Sequence, residues 1–286
     1  MVISGKELAK QTREMLSSSV AQYAAQYGRT PHLAVIIAGD DEGSKSYVRA
    51  KARASAETGI RNTTIELPAT VSQQELCDLV QSLNADDDVD GILVQLPLPE
   101  HIDSYAVISS VALEKDVDGF HPLNVAALWQ KRPCTPPCTP RGIIRLLDAA
   151  GVEIEGKRAV VVGRSNIVGM PMSKMLLDRN ATVTTAHSRT KDLGAITSEA
   201  EILVVAAGSP HLIKADMVRD GAVVIDVGVN RTPDGHLCGD VDFDAVAAKA
   251  SVITPVPGGV GPMTICSLME NTVECYLKRM NNVAGK

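Results

Sequence analysis

The chain has few aromatic residues: two Phe, one Trp and five Tyr among 286. Its core must therefore be aliphatic, and a lone exposed Tyr becomes more informative. There is no excess of positive charge, because 34 Asp and Glu against 28 Lys and Arg leave a formal net charge of −6. That balance argues against nucleic acid as the main partner. No apolar run approaches membrane-spanning length, and MVISGKELAK at the N-terminus lacks the apolar stretch of a secretory signal. These absences predict a soluble cytoplasmic protein with no membrane partner. The six cysteines, Cys77, Cys134, Cys138, Cys238, Cys266 and Cys275, form no C-x-x-C pair, and no His pair of zinc-finger spacing accompanies Cys134 and Cys138. Reduced thiols and no metal are expected. Internal repeats and low-complexity segments are also missing, and the length allows one large or two moderate domains.

What the sequence does contain is alternation of strand and helix. Residues 4–27 have helical spacing and stop at Gly28. PHLAVIIAG (31–39), NTTIEL (62–67) and GILVQLPLP (91–99) read as strands. Between them, Ser44 can cap a helix running to about Thr58 and closed by Gly59, and Ser72 can cap another through Leu83. Proline-dense KRPCTPPCTPRG (131–142) reads as a connection between domains, followed by a helix. Further strands are predicted at 201–208, 221–231 and 251–264, and a last helix over 262–280 begun at Pro262. The fold class is α/β. Two lobes are expected, each with a parallel sheet, with ligands at the carboxyl ends of the strands.

The stretch Lys157 to Arg189 organises the second lobe. A β-branched run, KRAVVVG, leads into a loop bounded by Gly163 and Gly169. A helix with Pro171 near its start follows, and then the strand ATVTTA. Strand, glycine turn, helix and strand make a βαβ unit with an anion site at its loop. The loop matches neither G-x-G-x-x-G nor the P-loop. Its selectivity lies in side chains. The second strand ends in His187-Ser188-Arg189 where an NAD-binding unit wants Asp or Glu, and Arg164-Ser165 open the loop. Two guanidiniums and two hydroxyls without a carboxylate suit a 2′-phosphate, so NADP is favoured over NAD. The competing reading is a surface turn with ordinary charges.

Four other places could carry chemistry. Tyr47 and Lys51 stand four apart on a predicted helix and share a face. A Lys in a cleft can work as an acid–base group if burial lowers its pKa; alternatively Lys45, Arg49, Lys51 and Arg53 are a solvated face. Gln95 ends an apolar strand and needs a partner, either a catalytic group or a structural one. Asp116 and Asp118 lie in EKDVDGFHP, where Asp-Gly is a common turn and a carboxylate could grip an aminopyrimidine edge. His121 in the same stretch could be a base, although a lone loop His is more often not. PVPGGVGP (255–262) offers glycines that let backbone approach a flat ligand.

The order and content of SKSYVRAK (44–51), GILVQLPLP (91–99), KDVDGFHP (115–122), PCTPRG (137–142), GRSNIVGMP (163–171), HSRT (187–190), VIDVGVNR (224–231), GDVDF (239–243) and PVPGGVGPMT (255–264) resemble the bifunctional methylenetetrahydrofolate dehydrogenase/methenyltetrahydrofolate cyclohydrolase family over nearly the whole length. The resemblance implies a folate-binding catalytic domain of residues 1–139 plus 268–286 and a Rossmann-type NADP domain of 140–267. It implies a cleft between them and a C-terminal helix returning to the first. It implies Lys51 as the catalytic lysine, Gln95 holding it, Tyr47 on the benzoyl part of tetrahydrofolate and Asp118 on the pterin edge. Pro257, Gly258 and Gly261 would line the folate site. Arg164, Ser165, Ser188 and Arg189 would take the NADP phosphate, with Thr139, Gly163, Ile167, Gly208 and Val229 near the cofactor. A homodimer working in one-carbon metabolism and purine biosynthesis is implied as well. The alternatives are a dehydrogenase without the hydrolase step, a related NADP dehydrogenase of shikimate type, and a non-catalytic NADP sensor. The extra Cys134-Thr135-Pro136 has no role assigned by the resemblance.

Overall fold

The computed structural model describes residues 1–232 and 234–284. Contacts divide the chain into two compact units. One holds residues 11–138 and 265–286, the other 1–10 and 139–264.

The first unit is built on a three-stranded parallel sheet in the order β2-β1-β3, with β1 at His32–Ala38, β2 at Arg61–Leu67 and β3 at Gly91–Val94. Central β1 is buried at every residue, so it must be apolar on both faces. Its alternate residues feed two different cores. Leu33, Val35 and Ile37 pack with Leu93, Val117 and the C-terminal-helix residues Leu268, Met269 and Val273. Ala34, Ile36 and Ala38 pack with Leu76, Val80, Ile92 and Val94. The helix Glu42–Thr58 joins β1 to β2, and Gln73–Ala85 joins β2 to β3.

The helix after β1 is capped by Asp41, not Ser44: the Asp41 carboxylate accepts the Ser44 N–H at 2.6 Å, and Ser44 is buried inside the first turn. Its end at Gly59, φ 75°, is as expected. Ser72 does cap the next helix, in a reciprocal box with Glu75. The third strand is shorter than GILVQLPLP. Gln95 N–H still donates to Ile36 O at 2.8 Å, but Pro97 has no N–H to continue the ladder.

The second unit carries a five-stranded parallel sheet in the order β10-β7-β6-β4-β5. The strands are β4 Arg158–Val162, β5 Thr182–Ala186, β6 Ile202–Val205, β7 Val223–Asp226 and β10 Val252–Ile253, and the helix Gly169–Asp178 lies between β4 and β5 in sequence. The predicted βαβ unit is therefore present. The expected strand over 221–231 breaks at Asp226, whose carboxylate takes the Gly228 N–H at 2.9 Å and turns the chain. Residues Asn230–Arg231 (β8) then pair antiparallel with Leu237–Cys238 (β9). The 251–264 stretch keeps only two strand residues before its proline–glycine loop. The last helix is Val260–Ala284, starting ahead of Pro262, which is tolerated in a first turn. The 131–142 connection is shorter than predicted because the helix Cys138–Ala149 begins inside it, with Pro140 in its first turn.

The N-terminus adds to this sheet: Val2 bridges Ile253, and Ile3 N–H donates to Ile253 O at 3.0 Å. Residues 1–10 thus group with the five-stranded unit, whereas the expected domain of 1–139 plus 268–286 placed them with the other. Residues 285 and 286 of that expectation lie outside the described residues. No helix among the described residues is long and apolar enough to cross a membrane.

Candidate active site

In the three-stranded unit, four sequence-predicted residues sit on three neighbouring elements. Tyr47 and Lys51 lie one turn apart on the helix after β1. Gln95 follows β3 directly, and Asp118 lies in the loop before the helix Pro122–Trp129. Lys51 is buried, only 7 % exposed, so it is not part of a solvated face. Its ammonium donates to Gln95 Oε1 at 2.8 Å. The Gln95 amide in turn donates to Leu96 O at 2.6 Å, which fixes its oxygen toward the lysine. Burial lowers the Lys51 pKa, against the opposing pull of Asp118 and then Cys138. Burial likewise pushes the Asp118 carboxyl up to about 6, with Lys51 resisting. Each charge makes the other less costly. Tyr47 is partly buried, and desolvation raises its phenol. Burial thus disfavours the charged form of both groups, the ammonium of Lys51 and the carboxylate of Asp118.

The loop holding Asp118 is built by its neighbour. Asp116 is buried, and its carboxylate accepts N–H bonds from Gly119 (3.0 Å), Phe120 (3.3 Å) and His121 (2.8 Å), and from Asn124 Nδ2 (2.8 Å). Gly119 has φ 71°, and a Cβ there would sit 2.5 Å from Thr135 O. Asp116 is thus the carboxylate that shapes the Asp-Gly turn. His121 Nδ1 accepts the Leu123 N–H at 3.1 Å and caps a helix.

The sequence reading missed Cys138 and Asn271. The Cys138 thiol lies 3.3 Å from Val117 O and 3.7 Å from Asp118 Oδ1. Asn271 Nδ2 donates to Val117 O, Pro136 O and Cys138 Sγ. The only sequence signal was that Cys138 stands inside PCTPRG. Thr135 and Cys275, at 4.0 Å, give the unassigned Cys134-Thr135-Pro136 stretch a buried packing contact.

The remaining predicted residues belong to the five-stranded unit and gather mainly beyond the carboxyl ends of its strands. Gly163 follows β4 with φ 125°. A Cβ on it would fall 2.2 Å from Ala206 O, and one on Gly169 would fall 2.2 Å from Gly163 O. Glycine is required at both places for the loop to close against its own helix start. Ser165 Oγ accepts the N–H groups of Val168 (3.2 Å) and Gly169 (3.3 Å), leaving its hydroxyl proton available. Arg164, Ser165 and Ile167 are exposed there, as are Ser188 and Arg189 after β5. The 187–190 turn is held by His187 N–H to Thr190 Oγ1 at 2.8 Å and Arg189 N–H to His187 Nδ1 at 3.2 Å. Neither Arg164 nor Arg189 makes an ion pair among the described residues. Gly208 and Val229 are exposed after β6 and β7. Thr139 pairs its hydroxyl with Thr264 at 3.0 Å.

Of the three residues predicted for a folate site, Pro257 is exposed, and Gly258 has φ 103° with no atom within 4 Å of a Cβ position. Gly261 is already inside the helix Val260–Ala284. The close backbone approach in this loop is made by Gly259, against which a Gly5 Cβ would collide at 1.8 Å.

Known proteins match over both units. Residues 3–118 match the family model described as tetrahydrofolate dehydrogenase/cyclohydrolase, catalytic domain, and residues 137–280 match its NAD(P)-binding domain. A bifunctional protein FolD of Geobacillus thermodenitrificans is 56 % identical over 273 residues, covering 96 % of each chain. A crystal structure of a bifunctional methylenetetrahydrofolate dehydrogenase/cyclohydrolase from Campylobacter jejuni superposes with TM-score 0.95 at 47 % identity, covering 98 % of this chain and 99 % of that one. The Trypanosoma brucei enzyme, solved with NADP and an inhibitor, gives TM-score 0.94 at 42 % identity with 97 % of both chains covered.

Proposed function

The chain belongs to the tetrahydrofolate dehydrogenase/cyclohydrolase family, and on that premise we propose the following division of labour. The protein is a bifunctional enzyme of one-carbon metabolism. It oxidises 5,10-methylenetetrahydrofolate to 5,10-methenyltetrahydrofolate with NADP, then hydrolyses the product to 10-formyltetrahydrofolate. Family membership of both halves favours this reading over a shikimate-type dehydrogenase.

NADP supplies the hydride acceptor. The residues beyond β4 and β5 fit it: a loop that closes only on glycines, two exposed arginines without a carboxylate partner, and two exposed serines. Arg164, Ser165, Ser188 and Arg189 hold its 2′-phosphate, and Thr139, Gly163, Ile167, Gly208 and Val229 contact the rest. The hydride step asks the protein mostly for positioning. The hydrolytic step needs a proton carrier. Lys51, biased toward the neutral amine, takes the proton of the attacking water and returns it to the leaving nitrogen. Gln95 aims the amine, Asp118 accepts the pterin's paired N–H groups, and Tyr47 packs on the benzoyl ring. Pro257, Gly258 and Gly261 are assigned to folate contact. Residues 1–139 with 268–286 are assigned to folate and 140–267 to NADP. The protein is assigned to the cytoplasm as a homodimer, which light scattering of the purified protein checks.

The buried Lys51–Gln95 pair carries this reading. The experiment is to mix protein, NADP and 5,10-methylenetetrahydrofolate and follow absorbance. NADPH must appear, and added methenyltetrahydrofolate must disappear in the absence of NADP. NADPH without hydrolysis would leave a dehydrogenase alone.

A further inference from the structure

The five-stranded unit contains two buried carboxylates with no role so far, Asp226 at the end of β7 and Asp240 after β9. They form two tiers. Asp226 Oδ1 accepts the N–H groups of Gly228 (2.9 Å) and Asp240 (3.0 Å), and Oδ2 accepts that of Val241 (2.9 Å). Asp240, placed by those bonds, turns its own carboxylate to the loop after β6. Its Oδ2 takes the N–H groups of Ala207 (2.7 Å) and Gly208 (2.9 Å). Its Oδ1 takes Ser209 N–H and Asn230 Nδ2, both at 2.8 Å. The packing leaves no slack. A Cβ on Gly228 would lie 2.3 Å from the Asp240 carboxylate, and one on Gly239 would lie 1.8 Å from that of Asp226.

Sheet order says which part of a dinucleotide this loop faces. β6 flanks β4 on the side opposite β5. A dinucleotide spanning the carboxyl edge, with its 2′-phosphate at Ser188 and Arg189 beyond β5 and its pyrophosphate at the Gly163 loop, must bring its nicotinamide half over β6. Three successive N–H groups held by one carboxylate fix the backbone there.

We infer that Asp240 is a positioning residue for hydride transfer: it sets the 207–209 loop under the nicotinamide half, and Asp226 holds Asp240 in place. This rests on the NADP reading of the same edge.

The test is Asp240→Asn, which keeps the volume but points an amide donor at backbone donors. Both activities are measured, the hydrolysis without NADP. The expected result is at least a tenfold fall in dehydrogenase kcat/KM, alike for NADP and NAD, with hydrolysis within about twofold of wild type. Equal effect on both cofactors separates this loop from the 2′-phosphate arginines. If D240N does not fold, Asn230→Ala removes one of the four donors and must lower the dehydrogenase-to-hydrolase ratio in the same direction. An unchanged ratio, or loss of both activities in proportion, overturns the inference. Failure of the wild-type protein to reduce NADP at all would instead overturn the NADP reading.

Discussion

The two sites solve opposite problems with charge. Around Lys51 the ionisable groups are buried or half-buried, and burial shifts them toward their neutral forms. Beyond β4 and β5 the cations are exposed, and the structural effort goes into backbone: required glycines, capped turns and a carboxylate under the neighbouring loop. The difference follows from the tasks. A proton carrier must exchange its proton near neutral pH, which needs a dry setting. A phosphate receptor needs permanent charge that an incoming anion can reach, held in a fixed frame.

The largest expected effect breaks the first half of this comparison. Lys51→Met should cut hydrolysis of methenyltetrahydrofolate by about 10²–10⁴-fold, the range of a lost general acid–base group. NADP affinity should persist, because the cation removed lies in the other unit from the NADP residues. The same variant should move the Asp118 carboxyl above about 6, since Lys51 is the larger of the two pulls, with Cys138, that hold it down. Carboxyl NMR reads this directly. Hydrolysis at the wild-type rate would remove Lys51 from the mechanism.

The exposed site is probed by Arg164→Ala. A charge-assisted bond to phosphate is worth about 1.5–3 kcal/mol, so KM for NADP should rise by roughly ten- to a hundredfold. KM for NAD, which lacks the 2′-phosphate, should stay close to wild type. A parallel loss on both cofactors would assign Arg164 to the pyrophosphate or to the loop itself.

Legibility in the sequence splits along the same line. The exposed arginines and serines beyond β4 and β5 could be placed from sequence, because their logic is local: a strand end, the side chains just after it, and no acid among them. The parallel sheets followed from alternating strand and helix patterns. The state of Lys51 could not be read so. Tyr47 and Lys51 on one helix face fitted a solvated surface slightly better, and only the helix packing shows the ammonium buried against Gln95. Asp116 and Asp118 looked alike in sequence, yet one gathers four donors and the other faces the lysine. Cys138, Asp226 and Asp240 make their contacts over separations that no local pattern encodes. The Ser44 cap failed for a simpler reason, since Asp41 three residues earlier competes for the same role.

The smallest effect sharpens what burial costs the first site. Asp118 is raised from 3.8 to about 6 in the folded protein, burial being the larger cause and Lys51 the opposing one. A raised folded-state value means the folded chain binds this proton more tightly than the unfolded chain does. Ionisation is therefore the costly form: the cost is absent below about pH 4 and complete above about pH 6. Wild-type stability should accordingly fall, relative to Asp118→Asn, as pH rises through that window, and run parallel to it above. A shift of this size corresponds to about 3 kcal/mol at most, and residual exposure of Asp118 reduces the expected change to about 1–2 kcal/mol. Near pH 4 the wild-type carboxyl is itself neutral, so the lost counter-charge to Lys51 is already part of the pH-dependent difference. The slope of the difference between urea midpoints at pH values of about 4, 5, 6 and 7 therefore reports Asp118. Two curves parallel across that range would mean the carboxyl is solvated, and the contrast between a dry site and a wet one would lose its main support.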